Sequence, residues 1–380
     1  MFSTRRTTTP LRQETAPQRS PARLLVVVLA LSALLLLLSG CGSSKSTLTA
    51  PVAHAQPVRL GQLSLALAPS ISTTMRIAQR RLYSFSRSNV GLMQLAVDGQ
   101  GMVCVGEMHT NRLGCLNSRT GVVTSWTPPG AQYGIMTTTF DAQGNAWFAE
   151  QYANYLGRFE KRQQTFRIFP LGTWKGSPLG PQDLHFDGRG LLWFTAAQGQ
   201  AIGRLDPSSG AIRLWPVPSS PSTLTLTPTG RVWFGIEGAL GTLDPASGQI
   251  ILYALPNPQA QVYSMATDTA GHLWFTEVLP GKLGRFDPTS STLTELSVPT
   301  LSGERPPALY ALIIDHQQQI WFVDIGANTL VRYAPQKHSL TFFQLSLPGS
   351  APFGLTLDPA GNLWFTIGGS SANSIGEMAA

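Results

Sequence analysis

Four carboxylates recur at one place in a repeated pattern. Glu150, Glu277 and Asp324 each stand three residues after a tryptophan (Trp147, Trp274, Trp321), and Glu107 stands three after Cys104, which holds the same place in a weaker copy of the pattern. Carboxylate oxygens are hard ligands, so this set suits Mg²⁺, Ca²⁺ or a cationic ligand. The remaining copies carry Ala196, Ile236 and Ile367 there, which leaves the acidic set incomplete. A structural use competes with the metal: such side chains also satisfy backbone groups at strand ends or pair with nearby Arg and Lys. A cation site on Glu107, Glu150, Glu277 and Asp324 is the expectation carried forward.

The pattern that must position them is a repeat. Trp-Phe pairs occur at 147, 193, 233, 274, 321 and 364, with spacings of 46, 40, 41, 47 and 43, and a further step of 43 back reaches Cys104. A period near 43 that contains several short strands is the mark of a propeller blade. Within a unit the chain turns at Asp-x-x-Gly, as in Asp358 to Gly361, and Asp first with Gly fourth suits a type I turn. Each unit supplies four strands, so the expected fold is all-β: a seven-bladed propeller of four-stranded antiparallel blades. The last unit ends after three strands at Ala380, and Arg81 to Ser86 is expected to supply its outer strand and close the ring. The Trp and Phe side chains, recurring once per blade, are expected to fill contacts between neighbouring sheets.

Residues ahead of the repeat read differently. Five arginines precede an apolar run from Leu24 to Leu38 and the sequence Leu38-Ser39-Gly40-Cys41. A basic start, a short apolar run and small residues make an export signal over residues 1–40, and the run is short for a membrane span. The ending resembles the bacterial lipobox, so Cys41 is expected to carry lipid and hold an extracytoplasmic protein at the cell membrane. Residues 41–80, rich in Ser, Thr, Ala and Pro, have the composition of a tether to a propeller over 81–380.

Beyond Cys41 the chain has 22 basic and 19 acidic residues with no dense Lys/Arg stretch, so nucleic acid is not an expected partner. A monomer is expected. Cys104 and Cys115 fall on adjacent strands of one hairpin, where a disulfide or two buried thiols both fit an exported protein.

Ligand recognition is expected where first strands begin and second strands end, around the central channel. Tyr263, Tyr310 and Phe353 are expected to line its mouth with Gln182, and the long connection from Phe169 to Gln182 brings Trp174 to the same face. An aromatic rim with a few carboxylates suits a small molecule, glycan or peptide.

Units such as Asp358-Pro-Ala-Gly-Asn-Leu-Trp-Phe-Thr366 and Gly271-His-Leu-Trp-Phe-Thr-Glu277 resemble those of the streptogramin B (virginiamycin B) lyase family. NHL-repeat and gluconolactonase-like propellers share related blades. The resemblance implies a seven-bladed propeller that opens a cyclic depsipeptide antibiotic by elimination with Mg²⁺. It also implies histidines eleven residues before the Trp. Here those positions read Met93, Met136, Gln182, Ser222, Tyr263, Tyr310 and Phe353, and none is histidine. Ile367 replaces the closing Glu on the last unit and Ala351 the carboxylate upstream of it. A general base must reach its proton, so a binding propeller is expected ahead of a divergent Mg-dependent lyase or a lactonase-like enzyme.

Overall fold

The computed structural model describes residues 55–60, 62–65, 70–77, 81–87, 89–130, 134–345, 347, 349–369 and 372–380. The export signal and Cys41 therefore lie outside the described residues. Among those residues, no helix is long and apolar enough to cross a membrane.

Seven antiparallel sheets form the blades, each a meander of four strands. Blade 1 shows the plan: Leu92–Val97, Met102–Glu107, Arg112–Asn117 and Val122–Trp126 pair in sequence order. The first strands of the later blades are Ile135–Phe140, Pro181–Phe186, Thr223–Leu226, Val262–Thr267, Leu309–Ile314 and Pro352–Leu357. They stand side by side around the axis, which they line. Arg81–Ser84 pairs antiparallel with Ala372–Ala379 and becomes the outer strand of blade 7, so the ring closes as expected.

The repeated residues each have a defined task. The turn aspartate does two jobs: in blade 7 its Oδ1 accepts the Asn362 N–H at 2.8 Å, and its Oδ2 accepts the Trp364 indole N–H at 3.1 Å. The same Asp-to-Trp bond, six residues long, recurs from Asp141, Asp187, Asp268 and Asp315. Held this way, each Trp packs against its neighbour blade, as Trp147 does against Phe186 with ring centroids 5.6 Å apart. The following Phe lies over a glycine of the third strand; a Cβ on Gly157 or Gly203 would sit 2.1 Å from the ring of Phe148 or Phe194. Only glycine admits that approach. In blade 1 the Trp place is taken by Cys104, which faces Cys115 directly across the second and third strands and is joined to it as a disulfide.

The stretch expected to be a tether over 41–80 is corrected in its second half. Ala55–Leu60, Gln62–Leu65 and Ser70–Ile77 are strands, and each adds in parallel to the outer strand of one blade: blades 4, 5 and 6 in turn. An outer strand presents a row of unpaired N–H and C=O groups, which an extended neighbour satisfies without any turn chemistry of its own. The chain then continues into Arg81–Ser84 on blade 7.

Candidate functional site

The site is built at the starts of the first strands, where the pairing with the second strand is irregular in six blades. In blade 3 Pro181 pairs with Ala196 and Leu184 with Phe194, so Gln182 and Asp183 together oppose Thr195. Such bulges re-aim side chains. The Thr of the Trp-Phe-Thr motif completes the irregular turn: Thr195 Oγ1 accepts the Asp183 N–H at 2.9 Å, Thr276 the Ser264 N–H at 3.2 Å, and Thr366 the Gly354 N–H at 2.7 Å. Each threonine is buried there.

The same irregularity in blades 5, 6 and 7 gathers three aromatic side chains. Tyr263 lies 4.6 Å from Tyr310 and 5.4 Å from Phe353, and Tyr310 lies 4.8 Å from Phe353, all measured between ring centroids. Tyr263 and Phe353 are half-buried and Tyr310 is buried. Burial pushes the Tyr310 hydroxyl up to about 12. Burial, then Tyr310 and Asp183, pushes Tyr263 well above its ordinary 10, so both are neutral phenols.

Tyr263 and Gln182 also border an axial cavity of about 220 Å³ that all seven first strands line. Its charged side chains are Asp183 and His185, which lie on the same face of one strand because they are two residues apart. His185 Nε2 is 3.6 Å from Asp183 Oδ2. That oxygen also accepts the Thr223 hydroxyl and the Leu224 N–H from blade 4, both at 3.0 Å. Oδ1 accepts the Leu184 N–H at 2.9 Å. Burial opposes charge on both groups, yet their mutual attraction and the hydrogen bonds to Asp183 prevail. The Asp183 carboxyl is held below its usual range and the His185 imidazole above its own. The His185 side chain keeps 42% of its surface accessible and Asp183 only 19%, so the imidazole is what the cavity presents.

The strand-end carboxylates are placed differently. Glu107, Glu150, Glu277 and Asp324 are all buried, each at the hairpin between a second and a third strand. Asp324 Oδ1 accepts three backbone N–H groups, from Ala308 at 3.0 Å, Gly326 at 2.9 Å and Ala327 at 3.4 Å, and so ties the long connection before Leu309 to its own hairpin. Glu107 accepts the Thr110 hydroxyl at 2.7 Å. Glu150 lies beside Tyr152 and Tyr155, whose hydroxyls are raised by burial and then by its charge. Glu277 faces Lys282 across the hairpin, but the lysine ammonium bonds Glu295 instead. Burial, then the Glu295 charge, pushes Glu277 up to about 8, so it is protonated at neutral pH.

Four oxygens of the set, Glu107 Oε1, both Glu277 oxygens and Asp324 Oδ2, are buried without a hydrogen-bond partner. Each carboxylate sits on a separate blade, and Asp324 Oδ1 is spent on backbone. Among the described residues no group of three or more His, Cys, Asp or Glu side chains is arranged to hold a metal ion. The residues therefore do not fit the Mg²⁺ that the family resemblance implies.

Trp174 is also apart from the aromatic trio. It sits on a two-stranded hairpin, Thr173–Trp174 against Ser177–Pro178, and packs on the apolar cluster of blades 2 and 3. Lys175 Nζ stands 5.9 Å from the centre of its ring. Two of the expected ligand residues, Gln182 and Tyr263, thus line the cavity itself; Tyr310 and Phe353 back Tyr263. Sequence reasoning missed Asp183 and His185, although the alternation Gln182-Asp183-Leu184-His185 on an innermost strand was the available signal.

A closed ring of four-stranded blades around an axial cavity, with aromatic and titratable groups at the bulged strand starts, defines a seven-bladed β-propeller with its candidate site on the axis. The chain belongs to the virginiamycin B lyase family, whose model matches residues 79–378. A solved virginiamycin B lyase from Staphylococcus aureus is 24% identical, with a TM-score of 0.70 over 79% of this chain and 98% of that one. A streptogramin B lyase structure is 25% identical, with a TM-score of 0.69 over 78% of this chain and 96% of that one. A third solved structure is the catalytically inactive H270A form of the Staphylococcus aureus enzyme with quinupristin, at 23% identity and a TM-score of 0.70. It is covered over 98% of its length by 79% of this chain. No curated protein matches the sequence.

Proposed function

We propose that this protein is a lipid-anchored, extracytoplasmic binding propeller that takes a ligand or a protein partner on its central-channel face. The observation that carries the reading is the aromatic trio. Three consecutive blades deliver Tyr263, Tyr310 and Phe353 to one cluster, at the positions where the family pattern expects histidines. Neutral phenols and a phenyl ring recognise apolar or aromatic ligand surface and supply no base. The Arg-rich start, the Leu24 to Leu38 run and Cys41 support export and lipid attachment, and the Cys104–Cys115 disulfide suits an oxidising compartment. The membrane, through that lipid, and a small-molecule, glycan or peptide ligand are the proposed partners of a monomer.

The test uses full-length protein and quinupristin, followed in parallel by fluorescence titration and by chromatography of the antibiotic. Saturable binding without linearised product, weakened about tenfold in Phe353→Ala, is the expected result. Linearised quinupristin that disappears in Glu277→Gln would install the lyase reading in its place.

A further inference from the structure

The axial cavity holds an ion pair that no part of the aromatic cluster requires. Asp183 uses its oxygens on Thr223, Leu224 and Leu184, and so fixes blade 3 to blade 4 while leaving little acceptor capacity for a ligand. Several other polar groups of the cavity are likewise committed, although Gln94 Oε1 is buried without a partner. Thr138 donates to the Cys104 carbonyl at 2.9 Å, Ser222 to the Val262 carbonyl, and Ser264 accepts the Leu312 N–H at 3.0 Å. His185 differs, because only its Nε2 faces a partner and its side chain is the more accessible member of the pair. When the ring is protonated, the nitrogen turned away from Asp183 is a hydrogen-bond donor open to the cavity.

Charge and size narrow what that donor can receive. With His185 protonated the pair cancels its own charge, and the titratable side chain that shares its field is the neutral Tyr263. A ligand carboxylate would meet the Asp183 charge as well as the imidazole, whereas an uncharged carbonyl oxygen meets only the donor. A cavity near 220 Å³ lies below the range of drug-sized sites, so it admits one ring and not a macrocycle. Tyr263 supplies an aromatic wall beside it.

We propose that His185, oriented by Asp183, is the recognition group of a small-molecule subsite inside the channel, which takes an uncharged single-ring aromatic carbonyl compound, free or as one side group of a larger ligand. This deepens the binding reading above and rests on it, since both place the ligand on the axis. Asp183 acts as a positioning residue.

Benzamide is the probe, titrated into the full-length protein by calorimetry, with benzoate and benzylamine as charged comparators. Saturable benzamide binding is expected, at least roughly tenfold tighter than either comparator and weakened at least roughly tenfold in His185→Gln. Because Asp183 joins two blades and its loss endangers the fold, Ala96→Phe, which narrows the same cavity from blade 1, serves as the second variant and is expected to abolish binding. Benzamide bound equally by wild type and His185→Gln, or not bound at all, overturns the proposal. Quinupristin binding that depends on Phe353 while benzamide fails would sink this subsite alone and leave the broader reading standing.

Discussion

Asp324 and Asp183 are the same side chain in two settings. Asp324 sits at the hairpin between the second and third strands of blade 6, accepts three backbone N–H groups, and is pushed upward by burial. Asp183 sits on the innermost strand of blade 3, meets a histidine and the next blade, and is held downward. Both are well covered by protein, so burial alone does not separate them. What separates them is the partner: a half-titratable, accessible imidazole in one case and fixed backbone in the other. In this fold a carboxylate at a strand end serves the hairpin, and a carboxylate two residues inside a bulged first strand serves the channel.

The contrast breaks first at Asp324. Replacement by Ala leaves three N–H groups, one buried and two part-buried, without this acceptor and should cost about 2 kcal/mol in denaturant melts. An effect under about 0.5 kcal/mol would show that the hairpin does not need it.

Glu277 should behave in the opposite sense. Its folded pKa of about 8 lies above its ordinary 4.5, so the native state holds a proton that the unfolded chain releases, and stability falls as pH rises through that window. Glu277→Gln should remove that slope and stabilise by about 2 kcal/mol at pH 9, with little gain near pH 4. Equal melting curves at pH 9 would refute the buried neutral acid.

A smaller change is expected at Asp358→Asn, which weakens the bond to the Trp364 indole and should cost about 1 kcal/mol. The channel pair gives a pH signature rather than a large energy, because His185 is partly accessible. Its raised pKa makes the stabilisation complete below the ordinary 6.5 and lost as pH rises through the folded value. The lowered Asp183 loses its share as pH falls below the ordinary 3.8. His185→Gln should flatten the alkaline side of the stability profile, and an unchanged profile would separate the two residues. Smallest of all is the response to ions: millimolar Mg²⁺, Ca²⁺ or EDTA should move the melting temperature by less than about 1 °C, since among the described residues no group of three or more His, Cys, Asp or Glu side chains is arranged to hold a metal ion.

The fold was legible because its signals are local and repeated. Trp-Phe pairs, Asp-x-x-Gly turns and third-strand glycines recur at fixed places in the unit, and six Trp-Phe pairs fix the period. The aromatic trio was legible for the same reason, since Tyr263, Tyr310 and Phe353 share one position of the unit. The surroundings of the strand-end carboxylates were less legible, because position along a strand does not tell which way such a side chain turns. Lys282 stands opposite Glu277, yet it bonds Glu295, and sequence could not choose between them. Asp183 was not singled out because the bulge that aims it into the channel leaves no residue signature of its own. The parallel additions of Ala55–Leu60, Gln62–Leu65 and Ser70–Ile77 were hidden because an edge strand needs no turn to announce it.

Those three added strands set how far the disc can stand from its proposed attachment point. A chain free from Cys41 to Arg81 could extend roughly 140 Å at 3.3–3.6 Å per residue. With Ala55 already laid on blade 4, the leash ends there, and its full reach is no more than roughly 50 Å. Under the proposed lipid attachment at Cys41, the propeller would sample ligands only within that short radius of the membrane surface.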